Sequence, residues 1–353
     1  MSFTIEIQTA TFADRQEWDA FVHSFPEASP YHLFGWGMAI TQVYGHEFYP
    51  LLVRQDGRLV GILPLVHMRL PFVLNELVAL PFCDMGNCLA VTCAVEERLL
   101  AEALQLGERL KTSNILLRGP LRSEDIAGVH FSELESGKVR MLLDLPGSSE
   151  ALLAGLKSKV RSQVHKAEKN GVVFRWAGKE GISSFYNVFC INMRDLGSPV
   201  HSRKWFEAVM DQFGDDARIG LAEFEGKCIG VGLILSTHEQ TAIPWASTLR
   251  QYNHLNPNML LYWNCLKFAA DQGRKTFDFG RSTEDEGTFR FKKQWGARPT
   301  PLRWYSLSPG EARPRRRNRM KQRWRYRIAG IWKTIPVPLA NAIGPPLRKY
   351  INL

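Results

Sequence analysis

Residues 51–65 read LLVRQDGRLVGILPL, and residues 220–234 read GLAEFEGKCIGVGLI. Each stretch is an apolar run, an acidic–Gly–basic turn and a second apolar run. That is the pattern of a tight hairpin whose glycine takes a left-handed conformation. Asp56-Gly57-Arg58 lines up with Glu225-Gly226-Lys227, and Gly61 lines up with Gly230. Such turns are common, so two unrelated hairpins would share them. The matching glycine three places past the basic residue points instead to a duplicated domain. The offset of 169 residues suits two modules, each of about 150 residues.

Outward from the hairpins, residues 14–25 and 33–43 have helical spacing. In residues 95–111, Leu99, Leu100, Ala103, Leu106 and Leu110 trace one helix face. Residues 115–118 and 140–144 read as strands, and Pro146-Gly147 follows as a break. Ser148 or Ser149 can then cap a long helix in which Leu152, Leu156, Val160 and Val164 or Ala167 repeat, ended by Asn170-Gly171. Residues 172–176, 242–247, 276–280 and 302–307 read as strands. Residues 181–196, 202–213 and 256–272 read as helices, the last opening with Asn256-Pro257. This mixture predicts α/β or α+β layering. The expected domains are residues 1–150 and 151–305, followed by a tail over 306–353.

The 353-residue chain is 45% apolar and 23% charged, enough for a large core and unlike a disordered polyelectrolyte. Its net charge of +10 is concentrated in the tail. Residues 306–353 hold 12 basic residues and one acidic residue, Glu311, whereas the first 305 residues hold 33 and 34. A nearly neutral body argues against a nucleic-acid surface spread over it. No run of 18 apolar residues occurs, and residues 1–10 lack a basic n-region and an apolar core. Neither a transmembrane helix nor a signal peptide is therefore expected, and the chain should stay in the cytoplasm. The six cysteines suggest no disulfide framework. Cys83, Cys88 and Cys93 read as buried thiols rather than a zinc hook, because no fourth ligand lies near in sequence.

Three segments can carry chemistry. In residues 156–169, Lys157 and Arg161 stand four apart, and Arg161, His165, Glu168 and Lys169 follow at helical spacing. A basic face of this kind suits a phosphate clamp, and it equally suits a solvated helix. In residues 278–283, DFGRST, Gly280 permits close backbone approach and Ser282 and Thr283 expose hydroxyls. The planar fork of Arg281 fits a carboxylate or phosphate, although a strand-to-helix turn capped by Ser282 or Thr283 has the same composition. In residues 289–295, FRFKKQW, one of Lys292 and Lys293 faces inward if the segment is a strand. A buried ammonium there would neutralise negative charge on a tetrahedral acyl intermediate; a surface lysine with a snorkelling stem is the plainer reading. His201 follows Pro199-Val200 ahead of an aromatic helix and can line a pocket. No phosphate-loop, G-x-S-x-G or H-E-x-x-H sequence occurs.

Residues 313–327 hold nine basic residues around Trp324 and Tyr326, and residues 328–353 are apolar but interrupted by Pro336, Pro338, Pro345 and Pro346. Basic residues followed by apolar and aromatic ones suit an anionic membrane surface, where each basic group is worth about 1 kcal/mol. Packing of the apolar part on the body is compatible with this. Nucleic-acid binding by the arginines, tRNA included, ranks third.

The stretch LKSKVRSQVHKAEKNGVVF (residues 156–174) resembles the opening of the transferase domain of the FemA/FemB/FemX-like family. FDFGRSTEDEGTFRFKKQWGARPTPLRWY (residues 277–305) resembles that family's closing motif, and YHLFGWGMAITQVYGHEFYPLLV (residues 31–53) resembles its first half. The subgroup most similar is the FemAB-like proteins that accompany exosortase/PEP-CTERM and exopolysaccharide genes. The resemblance implies tandem GNAT-type acyltransferase domains with mixed, mostly antiparallel sheets flanked by helices. It implies an acyl-CoA or aminoacyl-tRNA donor and no metal. Phe291-Lys292 matches a Phe-Lys pair of the transferase centre, with Lys292 stabilising the reacting carbonyl. Arg161 and Lys166 match basic residues of the opening helix. The coiled-coil arm of the tRNA-using members has no counterpart here.

These readings combine into one expectation. The chain is an aminoacyl- or acyltransferase acting on an envelope glycan, peptidoglycan or a lipid-linked precursor at the cytoplasmic face of the inner membrane. Lys292 and Phe291 sit at the centre, Asp278 or Glu284 serves as base or orients the amine, and Arg161, Lys166, Arg281, Ser282 and Thr283 bind substrate. The alternative is an inactive scaffold of the same fold in an exopolysaccharide assembly system.

Overall fold

The computed structural model describes residues 5–122, 130–134, 136–308 and 328–352. Two compact units result, each built on one sheet. The first sheet has the order β1-β2-β3-β4-β6-β15-β7. Its strands are β1 (Ile5–Thr9), β2 (Glu47–Gln55), β3 (Arg58–Leu70), β4 (Leu74–Ala79), β6 (Asn114–Arg118), β7 (His130–Glu133) and β15 (Trp304–Ser308); the short β5 (Leu89–Ala90) pairs with β3. The second has the order β14-β8-β13-β12-β11-β10-β9. It is built from β8 (Val139–Asp144), β9 (Val173–Ala177), β10 (Ala217–Phe224), β11 (Lys227–Ser236), β12 (Gln240–Thr248), β13 (Thr276–Ser282) and β14 (Arg298–Pro301).

The repeated hairpins match in backbone detail. Asp56 and Gly57 have φ of 50° and 79°, and Glu225 and Gly226 have φ of 49° and 74°. Positive φ at both turn positions twists the connection in the sense the flanking strands require. Each hairpin also carries a bulge at the same place. Val53 pairs with Gly61 and Arg54 with Leu59; Ala222 pairs with Gly230 and Glu223 with Cys228. A Cβ on Gly61 would come within 2.5 Å of Val95 at the start of α3 (Cys93–Arg109), and one on Gly230 would lie 3.5 Å from Pro257 at the start of α8 (Pro257–Asp271). At Gly61 glycine admits the helix that crosses between the parallel strands β4 and β6, whereas the 3.5 Å at Gly230 is ordinary contact and its tighter neighbours are Ala222 and Thr248 of the adjoining strands, at 3.2 Å.

Helices complete each unit. α1 (Arg15–Ser24) and α2 (Phe34–Tyr44) belong to the first, whose core gathers Leu99, Leu100, Ala103 and Leu106 of α3 against Leu51, Leu63 and Leu77. In the second, α6 (Ile182–Leu196) packs against β11 and β12, and α7 (Arg203–Phe213) packs beside it. The long helix expected after Ser148 is two helices, α4 (Ser149–Gly155) and α5 (Ser158–Lys169). Leu156 and Lys157 are extended, and Leu156 turns into the core. Both helices pack on α8.

The sheets do not change over where the sequence places its boundaries. β8 precedes residue 150 yet lies in the second sheet, and β15 spans residue 305 yet lies in the first. Tyr305 and Leu307 are buried in the first unit's core, paired with Leu117 and Ile115. A strand's own pattern shows which face is apolar, not which sheet receives it. Cys83 and Cys88 are buried as expected, but Cys93 is exposed on the first turn of α3. The basic stretch 313–327 lies outside the described residues. After it, α10 (Val337–Arg348) packs on α6. No helix among the described residues is long and apolar enough to cross a membrane.

Because Leu307 completes the first core from the far end of the chain, Leu307→Ala is expected to cost about 2–5 kcal/mol, comparable to Leu63→Ala. Urea unfolding followed by tryptophan fluorescence measures both; a near-neutral Leu307→Ala would remove β15 from that core.

Candidate active site

β12 and β13 pair in parallel over three residues only, Gln240–Thr276, Thr241–Phe277 and Ala242–Asp278. β12 runs on to Thr248 and β13 to Ser282 without further pairing, so the two strands part. β12 is also bulged at this point. Leu233 faces Trp245 and Leu235 faces Ala242, and Pro244, which has no N–H to donate, sits in the interval.

The fork is tied by a buried ion pair. Arg140 of β8 donates from Nε to Asp278 Oδ2 at 2.7 Å and from Nη2 to Gln240 Oε1 at 2.8 Å. Asp278 is 1% exposed, and its Oδ1 accepts the Gly280 amide at 2.7 Å. Three adjacent strands are thereby pinned where two of them separate. Gly280 has φ of 72°, which turns the strand end. The carbonyls of Gly280 and Arg281 then accept from Lys292 Nζ at 3.1 and 2.8 Å.

Lys292 stands on a helix, α9 (Gly287–Gln294), and not on a strand. The apolar pattern there has helical period: Phe289 and Lys292 point inward three residues apart, Trp295 is buried just beyond, and Lys293 points outward with Nζ 5.5 Å from the Phe289 ring centre. Glu286 occupies the position before α9, so neither Ser282 nor Thr283 caps it. Phe291 is half-buried with its ring edge-on to Tyr262 of α8 at 4.9 Å, and Tyr262 stacks on Phe279 at 5.7 Å. Burial raises the Tyr262 hydroxyl above the usual phenol range. Ser282 is buried, and its hydroxyl has no hydrogen-bond partner among the described residues. Arg281 and Thr283 are half-buried and Glu284 is exposed.

The basic helix behaves differently. Arg161 Nη1 donates to the carbonyls of Ala154 and Leu156 at 3.2 and 2.7 Å, closing the break between α4 and α5. Lys166 is exposed on α5. The structure therefore brings Asp278, Arg281, Ser282 and Lys292 together at one strand end, joins Phe291 to them through Tyr262, and leaves Arg161 and Lys166 on a separate helix. Asp278 has both oxygens engaged, which makes it an anchor; Glu284 is the solvent-facing carboxylate of the pair proposed as base. Arg140 and Gln240 complete this cluster. Their only sequence signal is a basic residue inside an apolar strand, and its partner is 138 residues away.

A second feature lies on the α6–α7 side. His201 is buried, stacked on Trp205 at 5.4 Å and edge-on to Trp245 of β12 at 6.4 Å. Burial, and secondarily the charge of Arg348, holds it well below the usual imidazole range. Among the described residues no group of three His, Cys, Asp or Glu side chains could hold a metal ion.

The first unit lacks an open fork. β4 and β6 also pair over three residues, but the position matching Gly280 is Arg118. Its buried guanidinium donates to the carbonyls of Leu80 at 3.0 Å, Cys83 at 2.7 Å and Asn352 at 2.8 Å, and lies 5.3 Å from the Trp304 ring centre.

Residues 154–293 match the family model described as an acetyltransferase (GNAT) domain. No curated protein matches the sequence. The crystal structure of FemX superposes with a TM-score of 0.68 at 16% identity, covering 85% of this chain and 96% of that one. The C-terminal domain of a putative lysylphosphatidylglycerol synthetase from Agrobacterium fabrum gives 0.56 at 8% identity, covering 84% and 92%. A tandem GNAT protein from the clavulanic acid biosynthesis pathway gives 0.52 at 14% identity, covering 88% and 100%. The chain has a GNAT-like fold similar to that of FemX, with mixed antiparallel and parallel sheets flanked by helices.

Removing one partner of a buried ion pair leaves the other charge uncompensated. Arg140→Met and Asp278→Leu are each expected to destabilise by about 3–5 kcal/mol, and the double variant by less than their sum, as measured by a denaturation double-mutant cycle. His201 titrates lower in the folded than in the unfolded chain, so the unfolded chain binds more protons in acid. Its contribution to stability is present above the ordinary imidazole value of 6.5 and is lost as pH falls below it. Replacing it by phenylalanine is expected to flatten the pH dependence of stability there by up to about 1.4 kcal/mol per pH unit. Identical slopes for wild type and variant would contradict a neutral buried histidine.

Proposed function

We propose that this chain transfers an acyl or aminoacyl group to an amine or hydroxyl of an envelope glycan, peptidoglycan or lipid-linked precursor. The donor is an acyl-coenzyme A or an aminoacyl-tRNA. The exosortase-associated subgroup of FemAB-like proteins is the proposed affiliation, and the cytoplasmic face of the inner membrane the proposed location. The fold supports the reaction class. The observation that carries the reading is the open fork between β12 and β13, with the buried Lys292 at the strand end that forms it.

In this reading the unpaired edge of β12 beyond Ala242 offers backbone groups to an extended donor. The first turn of α8 and Arg281 attract its phosphates. The acceptor nitrogen or oxygen attacks the donor carbonyl carbon, forming the new bond and passing electrons to the carbonyl oxygen. Lys292 stabilises that oxygen electrostatically. Collapse expels the thiolate of coenzyme A or the ribose oxygen of tRNA, and the acceptor's proton passes to Glu284 or water and on to the leaving group. Lys166 adds positive charge for an anionic precursor, while Ser282 and Thr283 supply hydroxyls. Phe291 holds Lys292 in place through its packing on Tyr262. Positioning supplies the remainder of the acceleration, with no covalent enzyme intermediate.

One observation favours the scaffold alternative: Lys292 and Asp278 both already make structural bonds. Purified protein assayed with acyl-CoAs and charged tRNAs separates the readings. Lys292→Met, folded by circular dichroism, is expected to lose about 10²–10³ in kcat. Unchanged turnover would dismiss Lys292, and a folded wild type that binds and turns over no donor would favour the scaffold.

A further inference from the structure

The C-terminal helix is apolar on the side that faces water. The inner side of α10 is already occupied: Ala340 and Gly344 are buried, and a Cβ on Gly344 would lie 3.1 Å from the Val200 amide. Arg194 Nη1 donates to the Ile335 carbonyl at 3.2 Å, and Trp332 is buried. The exposed positions are Pro338, Leu339, Ala342, Ile343, Pro346 and Leu347, adjacent pairs recurring every four residues, and none of them is polar. Leu339, Ile343 and Leu347 are 51%, 38% and 50% exposed, and Ile328 and Ile331 just upstream are 56% and 65% exposed. Single exposed apolar residues are ordinary; a whole helix face of them marks an interaction surface.

Charge selects the occupant. Lys333 precedes the stripe and Arg348 and Lys349 follow it, and residues 312–353 hold twelve basic residues and no acidic one. A second copy of the chain would bring like charges together. A nucleic acid would meet the charge and leave the apolar stripe in water. An anionic bilayer satisfies both, with aliphatic side chains at the acyl boundary and basic groups among the headgroup phosphates.

We propose that the outward face of α10, with Ile328 and Ile331, docks on an anionic phospholipid bilayer, lying in its interface without crossing it. This deepens the membrane placement above and rests on that reading for its link to a membrane-borne acceptor.

The test is co-sedimentation of the full chain with vesicles of phosphatidylglycerol in phosphatidylcholine, against vesicles of phosphatidylcholine alone. Wild type is expected to bind the anionic vesicles and not the neutral ones. The triple variant Leu339→Ser, Ile343→Ser, Leu347→Ser is expected to bind at least about tenfold more weakly, with the difference persisting in high salt, where charge alone is screened. These side chains already stand in water, so its thermal melt should match wild type. Three outcomes overturn the proposal: equal vesicle binding by the triple variant, tighter binding of wild type to single-stranded RNA than to vesicles, or a wild-type dimer that the triple variant dissociates. Transfer to a water-soluble acceptor, assayed in parallel, keeps the two readings apart. A chain that transfers without docking fails only here, and one that docks without transferring fails only the proposed function.

Discussion

A buried carboxylate organises the second unit. β12 and β13 share three residue pairs, too few to hold two long strands in a defined fork. Asp278 lies at the last pair and takes hydrogen bonds from Arg140 on one neighbouring strand and from its own Gly280 amide, while Arg140 also reaches Gln240 on the other. Desolvating such a pair is costly, and geometry of this quality offsets the cost only when every lone pair is used. The pair specifies a place more than it adds stability: it sets the residue at which the strands separate.

Consequences propagate from that point. The left-handed Gly280 bends the strand end and turns two carbonyls toward Lys292, whose ammonium donates to both. The first unit uses the same three-residue parallel pairing with the opposite result. Arg118 stands where Gly280 stands in the second, and its five-donor guanidinium ties together carbonyls beyond the strand ends. The two units also differ in strand length: β12 runs on to Thr248 past its last parallel pair, whereas β4 ends at Ala79, one residue past its own.

Much of the architecture was legible beforehand. The hairpin repeat and its left-handed turn follow from local sterics, and most helices and strands appear within a few residues of their expected ends. Local rules failed where tertiary contact outweighed them. The helix after Ser148 breaks at the buried Leu156, and Arg161 satisfies carbonyls the break exposes. The segment around Lys292 reads as alternating over a few residues, but Phe289, Lys292 and Trp295 share an inner face only with helical period.

By itself the sequence determined a duplicated α/β chain with a cationic, proline-broken end, because turn sterics, side-chain periodicity and net charge are local or additive properties. Only the tertiary structure decided that β8 and β15 complete sheets beyond their apparent boundaries, that Asp278 is an anchor with Arg140 as its counterion, and that Arg161 mends a helix break. Those outcomes depend on which groups meet after burial, across 138 residues in the case of Arg140 and Asp278, and no local pattern encodes a partner at that separation.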